Sequence, residues 1–334
     1  MHSNLQQQRP ESETPADLIF GRSPAMRKIR ERTVELVHAD VPLLIEGELG
    51  TGKEVLARYL HKCSSRADRP FVKLNCAAIP APLLESELFG CEAGAFTGAF
   101  SARMGLVELA DGGTLLLDNI AELDPSLEPK LLQLLQDGSF YALGGRLEKH
   151  VGFQLICTSS RPLKNEVDQG RFRADLYYRI NVAHICIPPL RERTVDIPDL
   201  SSYLLEKNSQ WLGLPAREIS GRLLDRMVQA QWPGNIRQLE NYIKRYLIFG
   251  TDDALFSELD RMEPWKPVRS ASNGAVSLKM FVRNAAREIE RAVILESLQA
   301  HNWNRREAAR SLRISYRSMF YKMKELDLPH KKSD

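Results

Sequence analysis

A glycine-rich loop between an apolar strand and a helix constrains this chain more than any other feature. The apolar run Val41–Glu46 leads into Gly47-Glu48-Leu49-Gly50-Thr51-Gly52-Lys53, and a helical pattern begins at Glu54. Glycines let backbone N–H groups turn toward phosphate oxygens, and a helix start adds positive potential. We therefore predict a P-loop that binds ATP, with Lys53 reaching the β- and γ-phosphates. Glu54 replaces the usual Ser or Thr, so the hydroxyl ligand for Mg²⁺ is missing.

Short apolar runs alternate with helical patterns over the first two-thirds of the chain. Five runs have the length and flanking residues of strands: Val41–Glu46, Phe71–Asn75, Thr114–Asp118, Phe153–Thr158 and Ala183–Ile187. This alternation predicts an α/β fold in which helices flank a parallel sheet. From about Ile197 the strand signals stop, and patterns such as Pro198–Trp211 predict a small helical subdomain.

The predicted organisation has five parts. We expect a disordered tail over 1–17, an α/β core over 18–192, a helical lid over 193–262, a linker over 263–276 and a helical module over 277–334. No run of about 18 apolar residues occurs. We interpret the five scattered cysteines as reduced core thiols of a cytoplasmic protein: Cys63, Cys76, Cys91, Cys157 and Cys186.

Charge is distributed unevenly along the chain. Residues 276–334 hold 13 Lys/Arg and 7 Asp/Glu, a net of +6, although the whole chain carries only +3. A basic C-terminal module favours nucleic-acid contact, and a solvated basic surface is the alternative.

The C-terminal module also has a helix–turn–helix pattern. Asn304 is placed to cap a helix, and Arg313-Ile314-Ser315 makes a short turn into the next one. Arg suits guanine edges and Lys suits phosphates. The predicted DNA-binding residues follow this pattern: Asn304, Arg305, Arg306, Arg317, Ser318, Tyr321 and Lys322. A three-helix bundle that serves only dimerisation is the alternative.

A small-residue loop lies between the P-loop and the strand Leu115–Asp118. Its sequence, Gly94-Ala95-Phe96-Thr97-Gly98-Ala99, resembles the GAFTGA signature of bacterial enhancer-binding proteins. These are AAA+ ATPases that activate transcription by RNA polymerase carrying sigma-54. The resemblance implies that Phe96 and Thr97 contact sigma-54 and transmit the work of ATP hydrolysis. It also implies a Fis-type DNA-binding unit from Asn304 to Leu328.

Further motifs carry the same resemblance and assign roles to their residues. Phe172–Arg179 is similar to the family's FRxDLxxR, which implies that Arg173 and Arg179 act on the nucleotide of a neighbouring subunit in a ring. Trp232–Asn241 is similar to the lid motif WPGNxREL, which implies that Arg237 senses nucleotide. Asp118 ends the Walker B strand and would hold Mg²⁺.

Three positions bear on hydrolysis. Asn119 stands where the family has a glutamate that polarises the attacking water, and an amide cannot accept a proton. A general base typically contributes about 10²–10⁴-fold. Ser160 stands where the family has a sensor asparagine. Asn75 matches the asparagine that pairs with the catalytic glutamate, so its contact with Asn119 would join two amides.

Together these motifs imply a sigma-54-dependent activator that binds enhancer DNA as a dimer and forms a ring, expected to be hexameric. The alternative is a nucleotide-responsive DNA-binding regulator, or a partner in a mixed ring, with little or no hydrolysis. Another AAA+ remodeller would lack the GAFTGA loop, and a structural DNA-bending protein would not need a P-loop. About 17 residues precede the ATPase, so we expect no N-terminal receiver domain and control in trans by a protein, by a small ligand or by expression level.

Overall fold

A computed structural model describes residues 14–95, 101–215, 217–250, 259, 294, 297–298, 304–311 and 316–325. The chain divides into two compact units, Met1–Trp265 and Lys266–Asp334. Within the described residues, no helix is both long and apolar enough to cross a membrane.

A five-stranded parallel sheet forms the centre of the first unit. Its strands are β1 (Leu43–Glu46), β2 (Phe71–Asn75), β3 (Thr114–Asp118), β6 (Gln154–Ser159) and β7 (Ala183–Cys186), in the order β2-β3-β6-β1-β7. The predicted α/β class and all five predicted strands are confirmed, with ends that differ by at most two residues. Because β1 lies between β6 and β7, the carboxyl end of β1 is where the strand order reverses. Ligands bind at such a point in open α/β sheets.

Side-chain alternation along the strands builds one core on each face of the sheet. Leu115 and Leu117 pack into the cluster beneath the helices α4 (Ala81–Phe89), α6 (Glu128–Asp137), α7 (Leu163–Asp168) and α8 (Ala174–Ile180). Leu116 packs on the opposite face with the helices α1 (Ala16–Phe20), α2 (Pro24–Leu36) and α3 (Lys53–Cys63). The central residues of β3 are apolar on both faces because both faces of the sheet are covered.

Some elements carried no clear sequence signal. An antiparallel hairpin, β4 (Ser139–Tyr141) with β5 (Glu148–His150), lies outside the main sheet, and α5 covers only Leu106–Leu109. Each of these elements has three or four residues, too few to show a hydrophobic period. Helix α1 begins at Ala16, inside the predicted tail, because Phe20 is buried against α3.

The helical subdomain packs around its own apolar cluster. Its helices are α9 (Ile197–Leu212), α10 (Gly221–Gln229) and α11 (Asn235–Phe249). Trp232 is fully buried there, donates its indole N–H to the Met227 carbonyl at 2.7 Å and meets the Tyr242 ring edge-on. Trp232 therefore fixes the turn that leads into α11.

The cysteines divide into two groups. Three are buried, as expected for core thiols: Cys76, Cys91 and Cys157. Cys63 and Cys186 are exposed, because Cys63 ends α3 and Cys186 ends the edge strand β7.

Candidate nucleotide site

The P-loop wraps around the end of β1 in a conformation that only glycine adopts easily. Gly50 and Gly52 have φ angles of +80° and +103°, and α3 begins at the next residue, Lys53. The Lys53 ammonium donates to the carbonyls of Gly47 and Glu48 at 2.6 and 3.0 Å. The loop is thus held in the shape of a phosphate cradle, with the lysine at its mouth.

The helical subdomain closes directly on this loop. The Ile236 N–H donates to the Gly50 carbonyl at 3.0 Å, and a Cβ added to Gly50 would lie 2.3 Å from the Gly234 carbonyl oxygen. Arg191 holds Glu48 with two hydrogen bonds, at 2.9 and 2.6 Å. The close approach explains why Gly50 must be glycine, independently of its φ angle.

The adjoining cavity has a volume of about 380 Å³ and lies between the sheet and the lid. It brings together most of the predicted site: Leu49, Gly50, Thr51, Gly52, Lys53, Glu54, Asn75, Asp118, Asn119 and Arg237. Gly47 and Glu48 lie just outside it, and Ser160, Arg173 and Arg179 do not line it.

Thr158 joins the two residues at the end of β3. Its hydroxyl donates to Asp118 Oδ1 at 2.5 Å and accepts from the Asn119 N–H at 3.1 Å. Asn119 adopts a left-handed conformation, with φ 58° and ψ 52°, which asparagine tolerates better than most residues. Sequence patterns could not single out Thr158, because nothing in an apolar strand shows which hydroxyl will face the carboxylate.

The expected contact between two amides is present in this structure. Asn119 Nδ2 lies 3.4 Å from Asn75 Oδ1, and the same oxygen accepts the Ala77 N–H at 3.0 Å. Neither side chain can take a proton from water, so this pair of amides can orient a water molecule without activating it.

Glu54 is held by two cations rather than facing the cavity alone. Arg58 donates to its Oε1 at 3.1 and 2.9 Å, and Lys73 donates to its Oε2 at 2.5 Å. Burial acts to raise the pKa of Glu54, but the bonds from Lys73 and Arg58 outweigh it and leave that pKa lowered. Lys73, which sequence reasoning missed, also reaches Asp118 Oδ2 at 3.6 Å.

Burial also changes the charge balance at Lys53. It lowers the pKa of the ammonium, Arg237 acts in the same direction, and Asp118 opposes both. A bound polyphosphate would add negative charge beside Lys53 and so favour its charged form.

Arg173 and Arg179 do not line this cavity. Arg173 forms a bidentate ion pair with Asp175 at 3.1 and 2.7 Å, and Arg179 donates to the Leu135 carbonyl at 3.0 and 2.5 Å. Both guanidinium groups are exposed. In this structure both guanidinium groups are thus bonded outside the nucleotide cavity of their own chain.

Only the beginning of the GAFTGA segment is described. Ala95 packs against Gly144 in the turn between β4 and β5, and the Glu92 N–H donates to the Leu143 carbonyl at 2.9 Å. Gly94, with φ 82°, opens the loop. Phe96, Thr97, Gly98 and Ala99 lie outside the described residues.

Comparisons with known proteins agree with these features. A family model described as "Sigma-54 interaction domain" matches residues 19–186, "AAA+ ATPase lid domain" matches 191–261, and "Bacterial regulatory protein, Fis family" matches 285–326. PilR of Pseudomonas aeruginosa is 39% identical over 328 residues, which cover 97% of this chain and 73% of PilR. This chain belongs to the sigma-54-dependent activators.

Other activators and solved structures give the same result. AtoC of Escherichia coli is 41% identical over 310 residues, covering 92% of this chain and 67% of AtoC. The Nif-specific regulatory protein of Azotobacter vinelandii is 39% identical, and the chain spans 60% of its length. Crystal structures of NtrX from Brucella abortus include one with ATP, which has a TM-score of 0.69 and 28% identity and covers 95% of this chain and 70% of NtrX.

The Fis-type unit of this activator contains two described helices, Arg305–Ser311 and Tyr316–Glu325. The Asn304 side chain accepts the Arg306 N–H at 3.2 Å, so the predicted cap is present. The buried cluster comprises Ile294, Leu298, Ala308, Ala309, Met319 and Met323.

The predicted DNA-contacting residues of this unit are not equally accessible. Arg306 is exposed and stacks over the Tyr316 ring at 5.9 Å. Ser318 and Lys322 are half-buried, although we expected them on the open face, because they adjoin the buried Met319 and Met323. Arg317 and Tyr321 lie on the second helix, and their side chains lie outside the description.

Proposed function

We propose that this chain binds ATP in the cavity between sheet and lid and uses it to activate transcription by RNA polymerase carrying sigma-54. The observation that carries the proposal is the joining of three features on one core: a P-loop clamped by the lid, Asp118 facing it, and a GAFTGA loop that starts at Gly94. The Fis-type unit would hold the protein on upstream DNA.

The cavity fits Mg²⁺·ATP. Backbone amides of the P-loop and Lys53 suit the phosphates, and the Asp118 carboxylate is a hard oxygen ligand of the kind Mg²⁺ prefers. The metal would supply charge neutralisation on the phosphates. Thr158 would hold the carboxylate in place, and Arg237 would approach the nucleotide from the lid. The ATP complex of the related NtrX supports this assignment.

The positions of two arginines support a ring. Arg173 and Arg179 are exposed, and neither lines the cavity of its own chain. As planar cations they would complete the site of an adjacent subunit in trans, which neutralises charge during phosphoryl transfer. We therefore propose a homo-oligomeric ring, built from dimers on DNA, in the cytoplasm.

A second candidate is a nucleotide-responsive regulator that hydrolyses ATP slowly or needs an active partner in a mixed ring. The contact between Asn119 and Asn75 favours it, since neither amide can accept a proton from the attacking water. Ser160 adds to this, because it does not line the cavity and would not replace a sensor asparagine.

The two candidates separate in one assay. We would measure steady-state Mg·ATP hydrolysis and open-complex formation on a sigma-54 promoter, with Lys53→Ala as the inactive control. Hydrolysis and promoter opening above that control would support a self-sufficient activator. Rates no higher than Lys53→Ala, with binding intact, would support the regulator. Failure to bind ATP at all would contradict both.

A further inference from the structure

Lys73 is placed by strand alternation beside both carboxylates of the nucleotide cavity. Phe71 and Asn75, two residues away on either side, share its face of β2, and Phe71 packs with α3. From that face the Lys73 ammonium lies 2.5 Å from Glu54 Oε2 and 3.6 Å from Asp118 Oδ2. It thus links the start of α3 to the end of β3.

This arrangement differs from an ordinary surface ion pair. The side chains of Lys73 and Asp118 are only 30% and 16% exposed, and both line the cavity. Lys53, the other ammonium at this level, donates to the P-loop carbonyls of Gly47 and Glu48. Among the cavity-lining side chains described, Lys73 is the cation in close contact with both Glu54 and Asp118, whereas Lys53 acts on Asp118 electrostatically while bonded to the loop.

We propose that Lys73 sets how strongly nucleotide binding depends on a divalent cation. Without metal, Lys73 would neutralise Asp118 and Glu54 and so reduce their repulsion of the triphosphate. With metal, the same ammonium would oppose the approach of Mg²⁺ to Asp118, since like charges repel at this separation. Both effects make ATP binding less dependent on Mg²⁺ than the Walker residues alone would. The inference rests on the proposed nucleotide site.

The test is the ratio of two dissociation constants. The full chain would be titrated with a fluorescent ATP analogue in EDTA and again in saturating Mg²⁺, and the constant in EDTA divided by that in Mg²⁺. We expect Lys73→Met to raise this ratio about tenfold, the order expected from removing one partly screened charge. Lys73→Arg keeps the charge and is expected to restore the ratio.

A matched control removes a different cavity cation. Lys207 also lines the cavity, but its ammonium lies over the Tyr203 ring at 6.0 Å rather than beside a carboxylate. Lys207→Met is expected to leave the ratio unchanged even if it weakens binding. Thermal unfolding of each variant without nucleotide would separate a folding defect from a change at the site.

The outcomes are distinct. A Lys73→Met ratio equal to that of the unmutated chain, whether binding is unaffected or equally weakened in both buffers, would overturn the role of Lys73. If the unmutated chain does not bind the analogue even in Mg²⁺, the proposed nucleotide site itself fails.

Discussion

The two edges of the nucleotide cavity differ in the chemistry that their residues can perform. At the P-loop edge, Lys53 donates to two carbonyls of the loop, and the lid donates a backbone N–H to the Gly50 carbonyl. These hydrogen bonds hold the glycine-rich loop in its shape. At the edge formed by the ends of β2 and β3, the side-chain amide of Asn119 lies 3.4 Å from the amide oxygen of Asn75. The first edge supplies the groups that bind phosphate, whereas at the second edge neither amide can accept a proton from water.

This difference separates binding from chemistry. Phosphate binding depends on backbone N–H groups and cations, which the P-loop supplies whatever residue follows Asp118. Activation of water depends on one side chain of suitable pKa. A chain can therefore keep the first function while losing most of the second.

The largest effect is expected when a carboxylate that can accept a proton is placed at position 119. Asn119→Glu is expected to raise ATP turnover by about 10²–10⁴-fold, because a carboxylate can polarise the attacking water. Steady-state phosphate release would measure it. Asn119→Gln has nearly the same shape without the charge and is expected to leave turnover low. A rise in both variants would mean that side-chain length limits the rate, not proton acceptance.

Phosphate binding at the P-loop edge can be tested by removing the Lys53 ammonium. Lys53→Ala is expected to weaken ATP binding about 100-fold, since bonds to a charged group contribute about 1.5–3 kcal/mol each. Calorimetric titration would measure it. Lys62→Ala removes an ammonium from the same helix at an exposed position and should leave affinity unchanged. Equal affinity of both variants would contradict the role given to Lys53.

The contact between lid and loop can be separated from backbone strain. Gly50→Ala and Gly112→Ala both place a side chain at positive φ, +80° and +72°, which costs about 1–2 kcal/mol. Only at Gly50 does the new Cβ meet a backbone oxygen, so we expect about 1–3 kcal/mol of additional destabilisation there. Chemical denaturation would measure both, and equal losses would show that the close approach does not matter.

The smallest effect is expected at Thr158, whose hydroxyl bonds the Asp118 carboxylate at the end of β3. Thr158→Val leaves Asp118 Oδ1 without its donor, and we expect Mg²⁺ affinity in the presence of nucleotide to fall about tenfold, as for other partners of metal ligands. Thr114→Val removes another buried hydroxyl, hydrogen-bonded to His61 at the opposite end of β3. Both should lower stability similarly, and only the first should change metal affinity.

The fold and the P-loop edge were readable from the sequence, while the connections between distant residues were not. Short, largely apolar runs and a fixed glycine spacing are local signals, and they predicted the parallel sheet and the P-loop. Thr158 and Lys73 lie on strands whose local sequence does not show which residues their side chains will contact. Their roles depend on which strands are neighbours, and the order β2-β3-β6-β1-β7 departs from the order along the chain.

By itself, the sequence determined which chemical groups each position carries, including an amide rather than a carboxylate at position 119. Those are properties of single residues and short motifs. Only the tertiary structure decided that Asn75 faces Asn119, that Lys73 reaches Asp118 and Glu54, and that Gly234 closes on Gly50. These contacts join residues 19 to 184 positions apart, so the contacts form only once the sheet and the lid have packed.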